Sequence, residues 1–273
     1  MKKTILYKAL SAALLLSMAS CNDIDTEERF IELPPIEGDR VVLIEDYTGQ
    51  GCPNCPEGHR ALEQFEEQYP GKIITVSIHA GEFAIPASET RYVGLMPDFA
   101  NGMKDDRGVK TYPTAIIDGS FNDGKPATWA APLRDAIAKP ATCDIDLSDL
   151  AFDPANRQLT GTVTVTAGKS VAGAVGIWIL EDGIVARQYN VNDDHKWDRN
   201  YVHDNVLRTY ATTSPWGDPL TLSRDEPTER AFSTVLDPSW KPENISVVAF
   251  VTDMSTGEYL QSARAYINNV STE

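Results

Sequence analysis

Residues 41–69, VVLIEDYTGQGCPNCPEGHRALEQFEEQY, constrain the fold more than any other part of this sequence. Residues 41–47 form an apolar run that predicts a buried strand. Cys52 and Cys55 follow at once, and the next apolar side chains recur at helical spacing, at Ala61, Leu62, Phe65 and Tyr69. The chain is therefore expected to place a cysteine pair where a buried strand leads into an amphipathic helix.

A cysteine pair at such a junction has defined chemistry. The first cysteine is expected at or near the helix N-cap, where the positive end of the helix dipole stabilises a thiolate and lowers the thiol pKa. The second cysteine is expected one turn in, close enough to close a small disulfide ring, and Pro53 suits the first helical turn. This spacing permits reversible thiol–disulfide exchange, a static structural disulfide, or half of a metal site.

The sequence offers no second half for a metal site. A structural zinc site needs four ligands, no second CxxC pair exists, and the histidines are dispersed at positions 59, 79, 195 and 203. We therefore predict no metal and no cofactor, while reversible exchange and a static disulfide both stay open. Cys143 stands apart from the pair and is predicted to be a buried thiol.

The pattern of the chain changes at Lys139–Pro140. Before it, strands at residues 72–79 and 111–119 alternate with helices near residues 98–106 and 129–138, which is typical of a layered α/β domain. After it, period-two alternation predicts strands at residues 143–150, 158–166, 175–181, 184–189, 230–236, 245–252 and 259–267. We predict an α/β domain over residues 41–139 and an all-β antiparallel sandwich over residues 140–273.

A long insertion, residues 190–229, interrupts the predicted sandwich. A loop of this length is usually functional or packed over the core as a flap. His203, Asp204 and Asn205 could bind calcium, which favours oxygen-rich loops. The alternative is that these polar side chains bond the turn backbone, while Val206 and Leu207 hold the flap against the core.

The N-terminal stretch MKKTILYKALSAALLLSMASC has the layout of a bacterial lipoprotein signal, with lysines, a short apolar run and small residues before a cysteine. We predict a signal peptide over residues 1–20, lipidation of Cys21 and an acidic tether over residues 21–40. No other segment is apolar for long enough to span a bilayer. The expected membrane contact is therefore the lipid anchor.

The charge of the chain excludes one class of partner. The formal net charge is −16, and loss of the three lysines in residues 1–20 takes it to −19. Such a surface repels phosphate backbones, so we predict no nucleic-acid binding.

Three features in order resemble thioredoxins over residues 40–139: Asp46 before the pair, the CxxC pair itself, and the later segment RGVKTYPTAII. The resemblance implies that Asp46 accepts a proton from Cys55, and that Pro113 is cis and faces the disulfide beside Tyr112, which contacts substrate. Gly51 stands where thioredoxins commonly carry tryptophan.

The lipoprotein signal, the motif ED-Y-TG-x-GC-x-x-CP and the later YVHDNVLR together resemble the 28-kDa outer-membrane lipoprotein family of Bacteroides-type bacteria. The resemblance implies a thioredoxin-like domain followed by a β-domain, anchored by lipid in the outer membrane on its periplasmic or cell-surface face. Two functions are then expected. One is thiol–disulfide exchange with protein thiols and disulfides; the other is a surface binding or structural role for an unknown partner, with a purely structural Cys52–Cys55 disulfide.

Overall fold

A computed structural model describes residues 39–123, 125–191 and 196–267. The predicted signal peptide, Cys21, most of the acidic tether and His195 lie outside these described residues. The first half contains the helices α1 (Cys55–Gln68), α2 (Ala100–Asp106) and α3 (Ala130–Ile137), and the strands β1 (Val42–Thr48), β2 (Ile73–His79), β3 (Thr114–Ile117) and β4 (Ser120–Asp123).

The second half is built of strands. They are β5 (Cys143–Asp153), β6 (Gln158–Ala167), β7 (Val171–Glu181), β8 (Ile184–Tyr189), β9 (Trp197–His203), β10 (Val206–Tyr210), β11 (Asp218–Leu222), β12 (Pro227–Val235), β13 (Ile245–Asp253) and β14 (Tyr259–Tyr266). Six of the seven strands predicted from the period-two alternation overlap closely with β5, β6, β8, β12, β13 and β14, and the seventh is the second part of β7.

One mixed sheet of nine strands dominates the protein, in the order β14-β13-β7-β10-β2-β1-β3-β4, with β11 also paired to β7. β1 and β2 are parallel, with Asp46 opposite Ser77, whereas β3 and β4 run antiparallel to their neighbours. β1 and β2 are buried along their whole length, because both faces of this part of the sheet are covered. Polar side chains such as Glu45, Asp46 and His79 are buried there together with the apolar ones.

A second sheet of three strands, β12-β6-β5, packs over the β7, β13 and β14 part of the large sheet. Their shared core contains Leu159, Val163, Val175, Ile177 and Val247, all fully buried. This sheet-on-sheet packing agrees with the predicted sandwich. However, β7, β10, β13 and β14 belong to the same sheet as β1 and β2, so the sheet continues across the predicted boundary at residue 139/140.

The prediction of a long loop over residues 190–229 was wrong, because this stretch forms β9, β10 and β11. β10 lies inside the large sheet between β7 and β2, and Val206 and Leu207 are fully buried there. The polar residues before β10 fix its turn: the Gly183 amide donates to Asp204 Oδ1 at 2.7 Å, and the Asn205 amide donates to Asp182 Oδ1 at 2.7 Å. These bonds fit the turn interpretation of the HDN residues.

One buried carboxylate, that of Glu45, is bonded by groups from both halves of the chain. Glu45 on β1 is fully buried and accepts hydrogen bonds from Arg107, just after α2, at 2.5 and 3.1 Å. Tyr259 at the start of β14 donates its hydroxyl to Glu45 at 2.8 Å, and Tyr47 donates at 3.0 Å. The carboxylate is therefore satisfied by groups from both halves.

Candidate functional site

Cys52 and Cys55 are joined by a disulfide, and both are almost completely buried, with exposures of 1% and 0%. The prediction placed Cys52 at or near the helix N-cap, but the N-cap is Asn54, two residues later, and Cys55 is the first residue of α1. Cys52 therefore lies just before the helix. The Cys55 amide donates to Cys52 Sγ at 3.1 Å. A thiolate at Cys52 in the reduced protein could accept the same hydrogen bond from this backbone amide.

Pro56 occupies the second position of α1. The first amides of a helix have no intrahelical partner, so a proline here removes no hydrogen bond. The CxxCP sequence is therefore compatible with an undistorted first turn.

The segment around Phe83 covers one side of the disulfide loop. The Gly51 amide donates to the Phe83 carbonyl at 2.7 Å. A Cβ atom at Gly51 would lie 3.2 Å from that carbonyl oxygen, and one at Gly49 would lie 2.7 Å from the Phe83 carbonyl carbon. The two glycines are therefore needed for close backbone approach, and this contact occupies the place that a tryptophan at position 51 would need.

Replacing Gly49 by alanine is expected to destabilise the protein by about 1–3 kcal/mol, because the new methyl group overlaps rigid backbone atoms. Gly102→Ala is the matched control, since Gly102 is an exposed glycine inside α2 with no atom within 4 Å of an added Cβ. That change should stabilise by about 0.5–1 kcal/mol. Chemical denaturation of both variants measures the difference in stability. Equal effects would show that the Phe83 segment moves to accept the new methyl group at little cost in free energy.

Strand β8, far away in sequence, covers another side of the disulfide loop. Gln188 is fully buried, and its Nε2 donates to the carbonyls of Cys52 at 3.1 Å and Gly49 at 3.3 Å. The Tyr189 amide donates to the Gln50 carbonyl at 2.7 Å. Gln188 could not be recognised from the sequence, because a single glutamine in a strand gives no local signal of a partner 136 residues away.

The Tyr112–Pro113 peptide bond is cis. Pro113 is buried against α1, where a Cβ at Gly58 would lie 3.0 Å from Pro113 Cβ. The Tyr112 ring packs edge-on against Phe83, with centroids 5.8 Å apart. The structure thus brings Tyr112 and Pro113 to the segments that surround the cysteine pair.

Asp46 lies on β1 and is fully buried, and neither of its carboxylate oxygens has a hydrogen bond within the described residues. Burial raises the pKa of Asp46 to about 7, because an apolar environment disfavours the charged form. His59 Nε2, on α1, lies 3.5 Å from Asp46 Oδ2. Burial lowers the pKa of His59 to about 3, so this histidine is neutral beside the acid at neutral pH.

The histidines are less dispersed in space than in sequence. Tyr201, on β9, is 2.8 Å from His59 Nδ1. His203, two residues on, packs edge-on against His79 of β2 with ring centroids 5.3 Å apart. A cavity of about 130 Å³ opens beside these groups and is lined by Asp46, His59, Thr75, Ser77, Tyr201 and His203 among others. Parallel pairing of β1 and β2 could have indicated that Asp46 and His79 lie near each other, but nothing local linked β9 to them.

Within residues 39–123, 125–191 and 196–267, no group of three or more His, Cys, Asp or Glu side chains is placed to hold a metal ion. Cys143 is buried in the core of the second half. The prediction that Cys143 is a buried thiol is therefore confirmed, and burial raises the pKa of this thiol to about 12.

Solved structures share this fold. HBP35 of Porphyromonas gingivalis superposes with a TM-score of 0.66 over 87% of this chain and 80% of that chain, at 16% identity. The protein AGR_C_4864 from Agrobacterium tumefaciens superposes with a TM-score of 0.50 over 87% of this chain and 99% of that chain, at 15% identity. At these identities the likeness concerns the fold alone.

The sequence model of the family described as "Outer membrane protein Omp28" matches residues 100–271, which is more than half of the chain. The chain belongs to the Omp28 family. The match places this Omp28-family protein in the outer membrane, as the family resemblance predicted.

A domain of the outer membrane lipoprotein Omp28 from Porphyromonas gingivalis is also similar, at 21% identity over 47% of this Omp28-family chain and 89% of that chain, with a TM-score of 0.32. No curated protein matches the chain. Among the described residues, none of the helices is long and apolar enough to cross a membrane.

Proposed function

We propose that this Omp28-family protein carries out thiol–disulfide exchange at the outer membrane, with Cys52 and Cys55 as the reacting pair. The observation that supports this most is Asp46, a fully buried carboxyl group with a pKa raised to about 7, on the strand that leads directly into the disulfide loop. A buried acid poised near neutral pH is suited to accepting and returning a proton.

The proposed cycle in the reducing direction begins with the Cys52 thiolate. It attacks one sulfur of a substrate disulfide, a mixed disulfide forms, and the other substrate sulfur leaves as a thiolate. Asp46, as a carboxylate, accepts the proton of the Cys55 thiol. The Cys55 thiolate then attacks Cys52 Sγ, which releases the second substrate thiolate and leaves the Cys52–Cys55 disulfide. A dithiol donor must reduce the pair for another turnover.

A thioredoxin-like arrangement of residues 41–139 is part of the proposal. The order β2-β1-β3-β4, with β1 parallel to β2 and joined to it through α1, supports it. So does the cis Pro113 packed against α1 beside Tyr112. In this arrangement Tyr112 and Pro113 support a docked substrate peptide. The sandwich of residues 140–273 would then be a second domain that shares the sheet of the first.

The burial of both sulfurs favours the second candidate function, a surface binding or structural role with a static disulfide. Cys52 is only 1% exposed, so attack on its sulfur requires that the segments around the disulfide loop open. Turnover therefore depends on local opening, which has a free-energy cost.

The deciding experiment compares the protein with Cys52→Ser in reduction of insulin disulfides by a dithiol donor, together with the reduction potential of the pair. We expect turnover above the uncatalysed rate, and complete loss of that excess in Cys52→Ser, because Ser cannot form the mixed disulfide. Cys143→Ser is the matched control and should leave turnover unchanged. A potential below about −300 mV without turnover would make the disulfide structural and favour the second function.

We also propose that Cys21 carries the lipid that anchors the protein. The lipoprotein signal before it and the outer-membrane family support this. Mass spectrometry of the mature N-terminus should find an acylated cysteine, and an unmodified residue there would contradict the anchor.

A further inference from the structure

A groove beside the disulfide loop has a composition unlike the rest of the protein. Its residues come from the segment before α2 and from the β8–β9 hairpin, and we call it the arginine groove. It has a volume of about 590 Å³ and is lined by Arg91, Tyr92, Val93, Val185, Ala186, Arg187, Trp197 and Arg199. The wall segments are joined by Gln50, whose Nε2 donates to the carbonyls of Val93 at 2.9 Å and Arg187 at 3.3 Å.

The charge of this groove is opposite to that of the chain. The whole sequence has 40 acidic and 24 basic side chains. The described lining of the groove includes three arginines and no acidic side chain. None of Arg91, Arg187 and Arg199 forms an ion pair with an acid in the described part of the chain. Within the described residues, no acidic side chain of the protein therefore neutralises these three arginines.

Arg187 is held in place by aromatic rings. Its guanidinium carbon lies 3.6 Å from the Trp197 ring centroid and 4.3 Å from that of Tyr92. Stacking fixes the plane of a guanidinium group and leaves the N–H groups at its edge free to bind a carboxylate. An arginine prepared in this way loses less conformational entropy when a ligand binds.

Apolar side chains surround these charges on the protein surface. Tyr92, Val93 and Val185 line the groove with exposures of 37%, 53% and 54%. Val202, 51% exposed, is paired with Val185 across the β8–β9 hairpin. Exposed apolar patches of this kind mark interaction sites, and tyrosine, tryptophan and arginine are the residues enriched at protein interfaces.

We propose that the arginine groove binds an acidic segment of a partner protein, with carboxylates on the arginines and apolar side chains on the valines. The described lining contains no acidic side chain, which favours a negatively charged ligand. The exposed valines beside the stacked arginine favour a peptide with apolar side chains over a purely ionic ligand. The groove lies next to the loop of Cys52, so the bound segment lies near the disulfide. Binding does not require that the disulfide turns over, so the proposal is independent of the proposed function.

The test measures fluorescence anisotropy of short labelled peptides with the oxidised mature protein. One peptide is rich in glutamate and valine, a second has lysine in place of glutamate, and a third has serine. The acidic peptide should bind at least about tenfold more tightly than the other two, and its affinity should fall with added salt. The double variant R91Q/R199Q should weaken it by about tenfold.

Arg224→Gln is the matched control, because Arg224 is an exposed arginine outside the groove, paired with Asp225. It should leave binding within about twofold of the unchanged protein. Equal binding of the lysine peptide, or unchanged binding in R91Q/R199Q, would overturn the proposal. A sulfated oligosaccharide that binds more tightly than the peptide and displaces it would assign the groove to a glycan and overturn it too.

Discussion

Replacing Arg107 by methionine is expected to lower the free energy of unfolding by about 3–5 kcal/mol. Glu45, its partner, has no exposed surface, and Arg107 supplies two of its hydrogen bonds. Without Arg107, the carboxylate keeps only the hydroxyls of Tyr47 and Tyr259. An uncompensated charge in the interior costs far more than the loss of an exposed pair.

A second substitution separates the loss of the pair from the loss of packing. In the double variant E45Q/R107M the buried charge is gone as well, so much of the stability should return. Arg224→Met, which breaks an exposed pair with Asp225, should change stability by less than about 0.5 kcal/mol. Urea denaturation of all three variants gives the comparison. If R107M and E45Q/R107M lower the free energy of unfolding equally, the effect comes from lost packing of the arginine side chain and not from the unpaired charge of Glu45.

We compare the free energy of unfolding of Asp46→Asn with that of the unchanged protein. The difference between them is expected to change by about 3 kcal/mol in favour of the variant between pH 5 and pH 8. Burial raises the pKa of Asp46 to about 7 in the folded protein, above the value of about 4 in an unfolded chain. The stability that the protonated acid contributes is therefore complete below about pH 4 and is lost as the pH rises to about 7. Asparagine has no proton to lose.

The buried histidines act in the opposite direction. Burial lowers the pKa of His59 to about 3 and that of His203 to about 4. The stability that these neutral histidines contribute is present above about pH 6.5 and is lost as the pH falls. Both chains contain these histidines, so the difference between Asp46→Asn and the unchanged protein isolates the acid.

Denaturation series at pH 5, 6, 7 and 8 measure this difference. Asp146→Asn is the matched control, because Asp146 is an exposed aspartate on β5, and its difference from the unchanged protein should stay flat. A constant difference for Asp46→Asn would mean that Asp46 is ionised throughout this range. Asp46 would then be unable to exchange a proton near neutral pH, and the proposed cycle would lose its acceptor.

Local patterns predicted the elements well where each residue's environment is set by its near neighbours. The apolar run at residues 41–47 and the helical spacing after Cys55 correspond to β1 and α1 within a residue or two. The segment TYPT does place a cis proline against α1. These features depend on local preferences for strand, helix and turn, which are determined by residues close together in the sequence.

Long-range pairing was not predictable in the same way. Val206 pairs with Ser77, 129 positions earlier, and its polar neighbours made the segment look like a loop. Gln188 and Tyr201 reach the disulfide loop and His59 from strands far along the chain. Such contacts depend on the final arrangement of the sheets, which single-residue propensities do not encode.

Because β10 lies between β7 and β2, the large sheet cannot be completed until the second half of the chain is present. During export to the outer membrane, the first half emerges well before residue 206 does. Until then β2, with the apolar sequence IITVSIH, has one unpaired edge of backbone amides and carbonyls. Open strand edges pair readily with other chains. This edge stays open for longer because the strand that covers it comes from a distant part of the sequence. The first half of the chain is therefore expected to be prone to aggregation until β10 pairs with β2.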